Sequence, residues 1–174
     1  MILYHGTDER SAKAIISLGV DLFAGSIHTD FGPGFYTTPD IYLAQKWAER
    51  KGIFTRGAVI SYRIEESKIG GIHFRRFDTP DLVWAQFIAN NRNGFRYVRN
   101  MEMQENNLTG QYDIVIGQIA DGKVSDITRY LREEKLAVDK DVLNELIRKQ
   151  YSLQFSFHTQ KGLELLTDPR IRLI

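Results

Sequence analysis

Three separated segments of the chain carry the side chains whose types could do chemistry. The first is Tyr4 to Thr7, the second is the glycine-rich stretch Asp30 to Thr38, and the third is a late polar stretch led by Gln154. Tyr36 lies inside the second segment, and Trp47 follows that tyrosine by eleven residues. A neutral imidazole offers one donor and one acceptor, glycine admits close approach to the backbone, and aromatic rings stack. Such groups bind and orient a ligand.

Several kinds of chemistry are excluded or disfavoured by composition. The 174-residue chain has no cysteine, which excludes disulfides, a thiol nucleophile and a Cys-type zinc site. Its four histidines lack the close spacing of metal ligands, so we expect no metal. No G-x-G-x-x-G and no Walker A sequence occurs. The net charge of +1 argues against a highly charged nucleic-acid coat protein.

The overall composition is that of an ordinary globular domain. Hydrophobic residues make up 43% and charged residues 26% of the chain, which excludes intrinsic disorder. The N-terminal segment lacks the charged and apolar regions of a signal peptide, and no apolar run approaches the length of a membrane span. We therefore expect a cytoplasmic protein without a membrane partner, folded as one domain over residues 1–174.

The first two segments are predicted to lie next to short strands and helices. The apolar run Ile2 to Tyr4 predicts a strand that ends at His5, and a helix follows it. The end of the glycine-rich stretch is β-prone. The Thr38-Pro39 pair predicts a helix with Thr38 as its N-cap, and this helix carries Trp47.

Later elements alternate irregularly between strand and helix. Strands are predicted at Ala58 to Ile64, Ile72 to Phe77, Tyr112 to Ala120 and Tyr151 to Thr159, and helices after Pro80, at 126–134 and at 140–149. Residues Asn90 to Gln111 lack periodicity and are predicted to form a long loop or insertion. This irregular order disfavours Rossmann and TIM architectures.

The last predicted strand has one apolar and one polar face. Its polar face carries Ser152, Gln154, Ser156 and His158. A face of this kind indicates either a solvated cleft or an ordinary sheet surface, and the sequence leaves both open.

The order and spacing of these motifs resemble the ADP-ribosyltransferase superfamily, on the branch of the poly-ADP-ribose polymerases and diphtheria toxin. More closely, the chain is similar to a bacterial family of unassigned function within that superfamily. The shared motifs are LYHGT, GPGFYTT, the helix Trp84 to Arg92, the segment Tyr112 to Asp121 and QFxFHT. The resemblance covers nearly the whole chain, and it implies a compact α+β domain with a split, mostly antiparallel sheet, flanking helices and an NAD cleft.

The resemblance implies a role for each residue of the first motif. His5 would hydrogen-bond a ribose hydroxyl of the NAD adenosine. Gly6 would offer its backbone amide and carbonyl to the nicotinamide carboxamide, and its missing Cβ would permit that approach. Thr7 would orient the turn or bind ribose or phosphate.

The glycine-rich segment would hold the nicotinamide ring. Gly34 matches the second glycine of the family's Gly-x-Gly-x-Tyr strand, and Tyr36 matches its tyrosine. Trp47 stands where the family usually has a second tyrosine, and the two rings would sandwich the nicotinamide. This would orient the glycosidic bond for cleavage.

The chain departs from the family at the catalytic position of the late strand. The family usually has a glutamate there, and this sequence has Gln154. A glutamine can still hydrogen-bond the ribose 2′-hydroxyl but supplies no negative charge. This favours single transfer over chain elongation. Glu102 and Glu105 of the predicted loop are two other carboxylates that could serve the reaction on closure.

The expected function is therefore an NAD-dependent mono-ADP-ribosyltransferase that uses NAD as co-substrate. The resemblance further implies a toxin held in check by a small antitoxin, with protein or nucleic acid as the acceptor. The run Arg92 to Arg99 interleaves arginines with aromatics, and it could recognise a nucleic-acid acceptor. The alternatives are a catalytically degenerate NAD or ADP-ribose binding module, an NAD glycohydrolase, or an interaction protein that uses the fold structurally.

Overall fold

Two β-sheets form the centre of the fold in a computed structural model, which describes residues 1–94, 105–120 and 152–174. Sheet 1 is antiparallel, with the order β1 (Ile2–Asp8), β3 (Gly57–Arg63), β7 (Thr167–Leu173). Sheet 2 has the order β2 (Phe35–Thr37), β6 (Leu153–Phe157), β5 (Ile114–Gln118), β4 (Phe74–Arg76), and only its β4–β5 pair is parallel. The predicted α+β class and the mostly antiparallel pairing are confirmed.

Helices flank these sheets. They are α1 (Glu9–Leu18), α2 (Ile41–Lys51), α3 (Leu82–Arg92) and the short α4 (Gln160–Leu163), with 3₁₀ turns at Gly52–Phe54 and Glu66–Gly71. Each α-helix begins after a residue whose side chain accepts a hydrogen bond from a first-turn backbone N–H; these caps are Asp8, Asp40, Asp81 and Thr159. Within the described ranges, no helix has the length and apolarity needed to cross a bilayer. The predicted helices at 126–134 and 140–149 lie outside those ranges.

The first strand is longer than predicted. β1 continues through His5 and Gly6 to Asp8, because each of these residues pairs with a residue of β3; His5 lies opposite Ile60 and Gly6 opposite Val59. The prediction that the strand ends at His5 was therefore wrong. The first motif lies inside a paired strand, and the pairing fixes the backbone of every residue in it.

Two other predicted boundaries were wrong for local reasons. Thr38 does not cap α2; Asp40 does, and the helix begins at Ile41. The predicted loop at Asn90 to Gln111 begins later, because α3 continues through Arg92 and buries Asn91. Residues 95–104 of that stretch lie outside the described residues.

Thr38 instead joins the two sheets. Its N–H donates to the Tyr4 carbonyl over 2.9 Å, and the Tyr4 N–H donates to the Thr38 carbonyl over 2.8 Å. This bridge places the end of β2 beside β1, although α1 and residues 19–34 separate the two strands in the sequence. The first two motifs therefore meet where the sheets join.

Two hydrophobic clusters lie on opposite faces of sheet 2. One cluster combines Leu3 and Ile60 of sheet 1 with Phe155 and Phe157 of β6. The other packs α3 against the opposite face, and its members include Trp84, Phe87, Phe31 and Val115. Since side chains alternate along a strand, the polar face of β6 points into the second cluster.

Candidate functional site

His5 and the Tyr36 backbone are in direct contact at the junction of the sheets. His5 Nδ1 lies 2.7 Å from the Tyr36 carbonyl oxygen, which can only accept, so Nδ1 carries the hydrogen. Burial lowers the pKa of His5 below its usual value, against the raising effect of this hydrogen bond, and the nearby Lys51 charge lowers it further. The ring is therefore neutral at pH 7. Its Nε2 is then an acceptor, and it has no hydrogen-bond partner among the described residues.

Gly6 lies against the backbone of α2. A Cβ at this position would lie 2.0 Å from the Ala44 carbonyl oxygen and 2.9 Å from the Ala48 nitrogen. The expected reason for this glycine was close approach of a ligand, whereas the structure assigns the missing Cβ to helix packing. Its role in binding NAD stays a prediction. The same packing fixes the position of α2, and therefore of Trp47, relative to β1.

Thr7 follows on β1, on the same face as His5. It is buried and pairs with Ala58 of β3. Its hydroxyl makes no hydrogen bond with any residue in the described part of the chain. The structure therefore leaves two polar atoms on this face, His5 Nε2 and Thr7 Oγ1, without partners among the described residues.

Tyr36 organises the glycine-rich segment through its hydroxyl. The hydroxyl accepts from the Phe31 N–H over 3.0 Å and lies 2.7 Å from the Gly32 carbonyl and 2.9 Å from Thr29 Oγ1. Burial raises the pKa of Tyr36 above its usual value, so the hydroxyl stays protonated and neutral. The hydroxyl thus holds the segment, and Tyr36 as a whole residue is half-buried.

Gly34 permits the glycine-rich segment to lie against the end of β6. A Cβ there would lie 2.6 Å from His158 Nδ1 and 2.6 Å from the Phe157 carbonyl oxygen. His158 Nδ1 also bonds the Pro33 carbonyl over 2.7 Å. The second and third motifs therefore contact each other directly.

Trp47 is 44% exposed on α2, with the Arg50 guanidinium 5.4 Å from its ring centre. No hydrogen bond or ring pair joins Trp47 to Tyr36 within the described ranges. The proposed sandwich of a nicotinamide between these two rings therefore stays a prediction. Arg50 lies over one face of the indole, so a ligand that stacks on that face would first have to displace Arg50.

The polar face of β6 is buried, not solvated. Gln154 is 7% exposed, and Ser156 and His158 are buried beside it. The sequence left open a solvated cleft or an ordinary sheet surface, and both interpretations were wrong, because Phe31 lies across this face; a Cβ on the neighbouring Gly117 would be 2.9 Å from the Phe31 ring. Tyr36 lies opposite Ser156 in the strand register, so Tyr36 and Gln154 share this face of sheet 2.

Asp30 is a functional candidate that the sequence interpretation missed. Its Oδ2 accepts from Gln154 Nε2 over 3.0 Å and from the Ala120 N–H over 3.0 Å. Its Oδ1 accepts from Arg92 Nη2 over 2.5 Å and Nε over 2.8 Å. A carboxylate thus lies beside Gln154, with its charge paired. The only signal in the sequence was its position at the start of the glycine-rich stretch.

The carboxylates considered from the sequence are placed differently. Glu105 pairs with Arg75 over 3.3 Å and accepts from the Tyr112 hydroxyl. These contacts hold it at the β4–β5 edge of sheet 2, on the far side of β6 from β2. Glu102 lies outside the described residues.

His158 is a buried, neutral histidine at the end of β6. Burial lowers its pKa to about 4, against the raising effect of its bond to Pro33. Its Nε2 lies 2.8 Å from the Ser156 hydroxyl, which also lies 3.1 Å from the Val115 carbonyl. The Ser156 hydroxyl has one proton, so it donates to either His158 Nε2 or the Val115 carbonyl at any one time.

The fold and site define an α+β protein whose three motifs meet around the β1–β2 junction and β6. The chain belongs to a family described as "Protein of unknown function (DUF3990)", whose model matches residues 1–167. No curated protein matches the chain. In the described ranges, no cluster of three or more His, Asp or Glu side chains is placed to hold a metal ion.

Proposed function

We propose that the protein is an NAD-dependent mono-ADP-ribosyltransferase. The observation that carries the proposal is the meeting of the first two motifs, in which the His5 imidazole binds the Tyr36 carbonyl while its Nε2 has no partner among the described residues. The family resemblance requires these two motifs to lie side by side around one ligand. A structure that separated them would have removed the proposal.

The unpaired polar atoms suit a ribose and a carboxamide. His5 Nε2 would accept a hydrogen bond from a ribose hydroxyl, and Thr7 Oγ1 can either donate or accept. Gly6 takes part in the β1–β3 pairing, so its backbone is held fixed. Tyr36 and Trp47 would bind the nicotinamide ring between them, and together these contacts orient NAD for cleavage.

The proposed reaction transfers ADP-ribose in one step or through a short-lived cation. The bond between the nicotinamide nitrogen and ribose C1′ breaks, and nicotinamide leaves with the electron pair. A nucleophile of the acceptor bonds to C1′ and loses its proton to solvent. Gln154 would accept a hydrogen bond from the 2′-hydroxyl, and its carbonyl dipole stabilises positive charge at C1′ less than a carboxylate would.

A catalytically degenerate NAD or ADP-ribose binding module is the second candidate. The burial of Gln154 at 7% exposure and the absence of a glutamate at this position favour it. Such a module would bind NAD through the same His5 and Tyr36 contacts without releasing nicotinamide. An NAD glycohydrolase, in which water takes the acceptor's place, is separated from the transferase by the fate of the ADP-ribose.

The biological role proposed with this activity is that of a cytoplasmic toxin. An NAD-consuming enzyme in its own cytoplasm needs restraint, so we propose a small antitoxin that covers the NAD cleft or the 90–111 segment. The acceptor would be a protein or a nucleic acid. Arg92, the first residue of the basic and aromatic run, forms an ion pair with Asp30 in the structure. The later arginines of that run would therefore make the contacts with the acceptor.

The proposed function is tested with NAD labelled in its adenylate part. We expect nicotinamide release and label on a macromolecule when purified protein is added to a cell lysate, and nuclease and protease digestion then identifies the acceptor. Gln154→Ala should lower transfer by about 10²-fold with little effect on NAD affinity. NAD binding without nicotinamide release would establish the binding module instead. Label found only as free ADP-ribose would establish the glycohydrolase.

A further inference from the structure

The amide of Gln154 has a fixed orientation. Nε2 lies 3.0 Å from Asp30 Oδ2 and 3.5 Å from the Gln118 carbonyl oxygen. Both partners are acceptors, so the nitrogen must face them and the amide oxygen must face away. Oε1 has no hydrogen-bond partner in the described part of the chain. The side chain therefore presents an acceptor, as a glutamate would.

The fixed orientation depends mainly on Asp30. The Asp30 contact is the shorter of the two, and it joins an amide N–H to a charged oxygen, which strengthens a hydrogen bond. The carboxylate is itself immobilised by Arg92 on Oδ1 and by the Ala120 N–H on Oδ2. Arg92 also donates to the Ala120 carbonyl over 3.1 Å. Both acceptors of Gln154 Nε2 are thus held in place, Asp30 by Arg92 of α3 and the Ala120 N–H, and the Gln118 carbonyl by its position at the end of β5.

We infer that Asp30 is the positioning residue of the site, and that the Asp30–Gln154 pair replaces the single glutamate of related enzymes. Asp30 holds Gln154 Nε2 so that Oε1 accepts the hydrogen bond of the ribose 2′-hydroxyl. The inference rests on the proposed function. In this arrangement the negative charge lies on Asp30, which contacts the nitrogen of the Gln154 amide and not the ligand. Arg92 neutralises that charge.

This arrangement predicts that restoring a glutamate alone does harm. Gln154→Glu would put a second carboxylate about 3 Å from Asp30, and two carboxylates at that distance cannot both be ionised at neutral pH. Asp30→Asn would present an N–H₂ group to Gln154 Nε2 if its carbonyl keeps the Arg92 contact. Gln154 would then turn its own oxygen inward and offer the ligand a donor instead of an acceptor. The two changes together restore a donor–acceptor pair with an outward carboxylate oxygen.

The experiment measures kcat and KM for NAD by nicotinamide release for the wild type, both single variants and the double variant. We expect Asp30→Asn and Gln154→Glu each to lower kcat by about tenfold or more, with KM changed less than about threefold. The double variant should recover kcat at least about tenfold over the weaker single variant, short of the wild type, because the Ala120 N–H and Gln118 carbonyl contacts are lost. Such a rescue does not follow from a merely structural role.

Asp113→Asn is the matched control. Asp113 is a carboxylate of similar burial that holds the Thr159 hydroxyl and the His73 N–H, and it is outside the proposed site. This variant should keep the wild-type kcat. A kcat for Asp30→Asn within about twofold of the wild type, or a double variant no better than its weaker parent, overturns the inference. Failure of the wild type to release nicotinamide overturns the proposed function instead, and it is detected before any variant is compared.

Discussion

At the residue scale, the two ring nitrogens of His5 have different roles. Nδ1 donates to the Tyr36 carbonyl and joins β1 to β2, and Nε2 is the atom proposed to meet the ribose. A substitution can separate the two roles, because an asparagine side chain places its N–H₂ close to the position of Nδ1 and leaves no atom at the position of Nε2.

His5→Asn should therefore weaken NAD binding while leaving the fold stable. We expect the Kd for NAD to rise about tenfold, the contribution of about one hydrogen bond. The free energy of unfolding should change by less than about 1 kcal/mol. Calorimetric titration and urea denaturation measure the two effects. An unchanged Kd in this variant removes Nε2 from the binding site.

His158 predicts a pH dependence of stability. Its pKa is about 4 in the folded protein, against the ordinary value of 6.5 taken for the unfolded chain. The unfolded chain therefore binds the proton first. Above pH 6.5 the free energy of unfolding therefore does not depend on the protonation of His158. As the pH falls from 6.5 towards 4, it decreases by about 3 kcal/mol in all. His5, whose pKa is also lowered, acts in the same direction.

Urea unfolding at pH 7 and at pH 5 checks this in the wild type and in His158→Asn, which keeps a donor for Pro33. The variant should lose less stability between the two pH values than the wild type does, by about 1–2 kcal/mol. His28→Asn removes an exposed imidazole and serves as the control. Equal pH dependence in the wild type and His158→Asn would contradict a buried, neutral His158.

At the same scale, the sequence indicated candidate residues but not the contacts between them. His5 and Tyr36 were expected to bind one ligand, which stays a prediction, and the structure adds the hydrogen bond from His5 Nδ1 to the Tyr36 carbonyl. The role of Asp30 depends on Gln154 and Arg92, which are 124 and 62 residues away along the chain. No local pattern marks such a contact, because only the packing of α3 and the glycine-rich segment on sheet 2 creates it.

At the element scale, the packing of α2 on β1 depends on Gly6. Its Cα lies so close to the helix backbone that even a methyl group has no room, and backbone atoms cannot move aside as the end of a flexible side chain can. The helix and strand would have to separate, which also displaces Trp47 relative to the first motif.

Gly6→Ala should lower the free energy of unfolding by about 1–3 kcal/mol, as overpacking does. Gly70→Ala is the matched control, since a Cβ there meets nothing within 4 Å. Urea denaturation of both variants gives the comparison. A Gly6→Ala variant as stable as Gly70→Ala would mean that α2 does not lie against β1 as described.

Elements were predicted well where periodicity was local and poorly where partners were distant. The alternation in Ala58 to Ile64 and in Tyr151 to Thr159 marked β3 and β6. The end of β1 was misplaced because its length is set by pairing with β3, which comes two helices and a strand later, and not by its own composition. The two faces of β6 were assigned correctly, but the residue that covers the polar face is Phe31 of the glycine-rich stretch, which precedes β2 near the start of the chain.

At the scale of the whole molecule, the proposed toxin role makes a prediction about cells. Expression of the wild type in a bacterial host should arrest growth, because NAD is consumed and an acceptor is modified. His5→Asn and Gln154→Ala should relieve the arrest, and Asp113→Asn should not, provided that all are expressed at equal levels. Growth curves with and without the neighbouring genes measure this. Harmless expression of an enzyme that is active in vitro contradicts the toxin role and leaves the NAD chemistry standing.

The strand order also determines when the site can exist during synthesis. β6 lies between β2 and β5, and 118 residues separate Thr37 from Phe155, its neighbour on β6. Before the ribosome has synthesised β6, the growing chain contains β2 without its partner β6 and β3 without its partner β7. Pairings over such distances form slowly, since a long loop must close before any contact is gained. The growing chain therefore acquires the complete site only after β6 has emerged, so a prematurely terminated product lacks it.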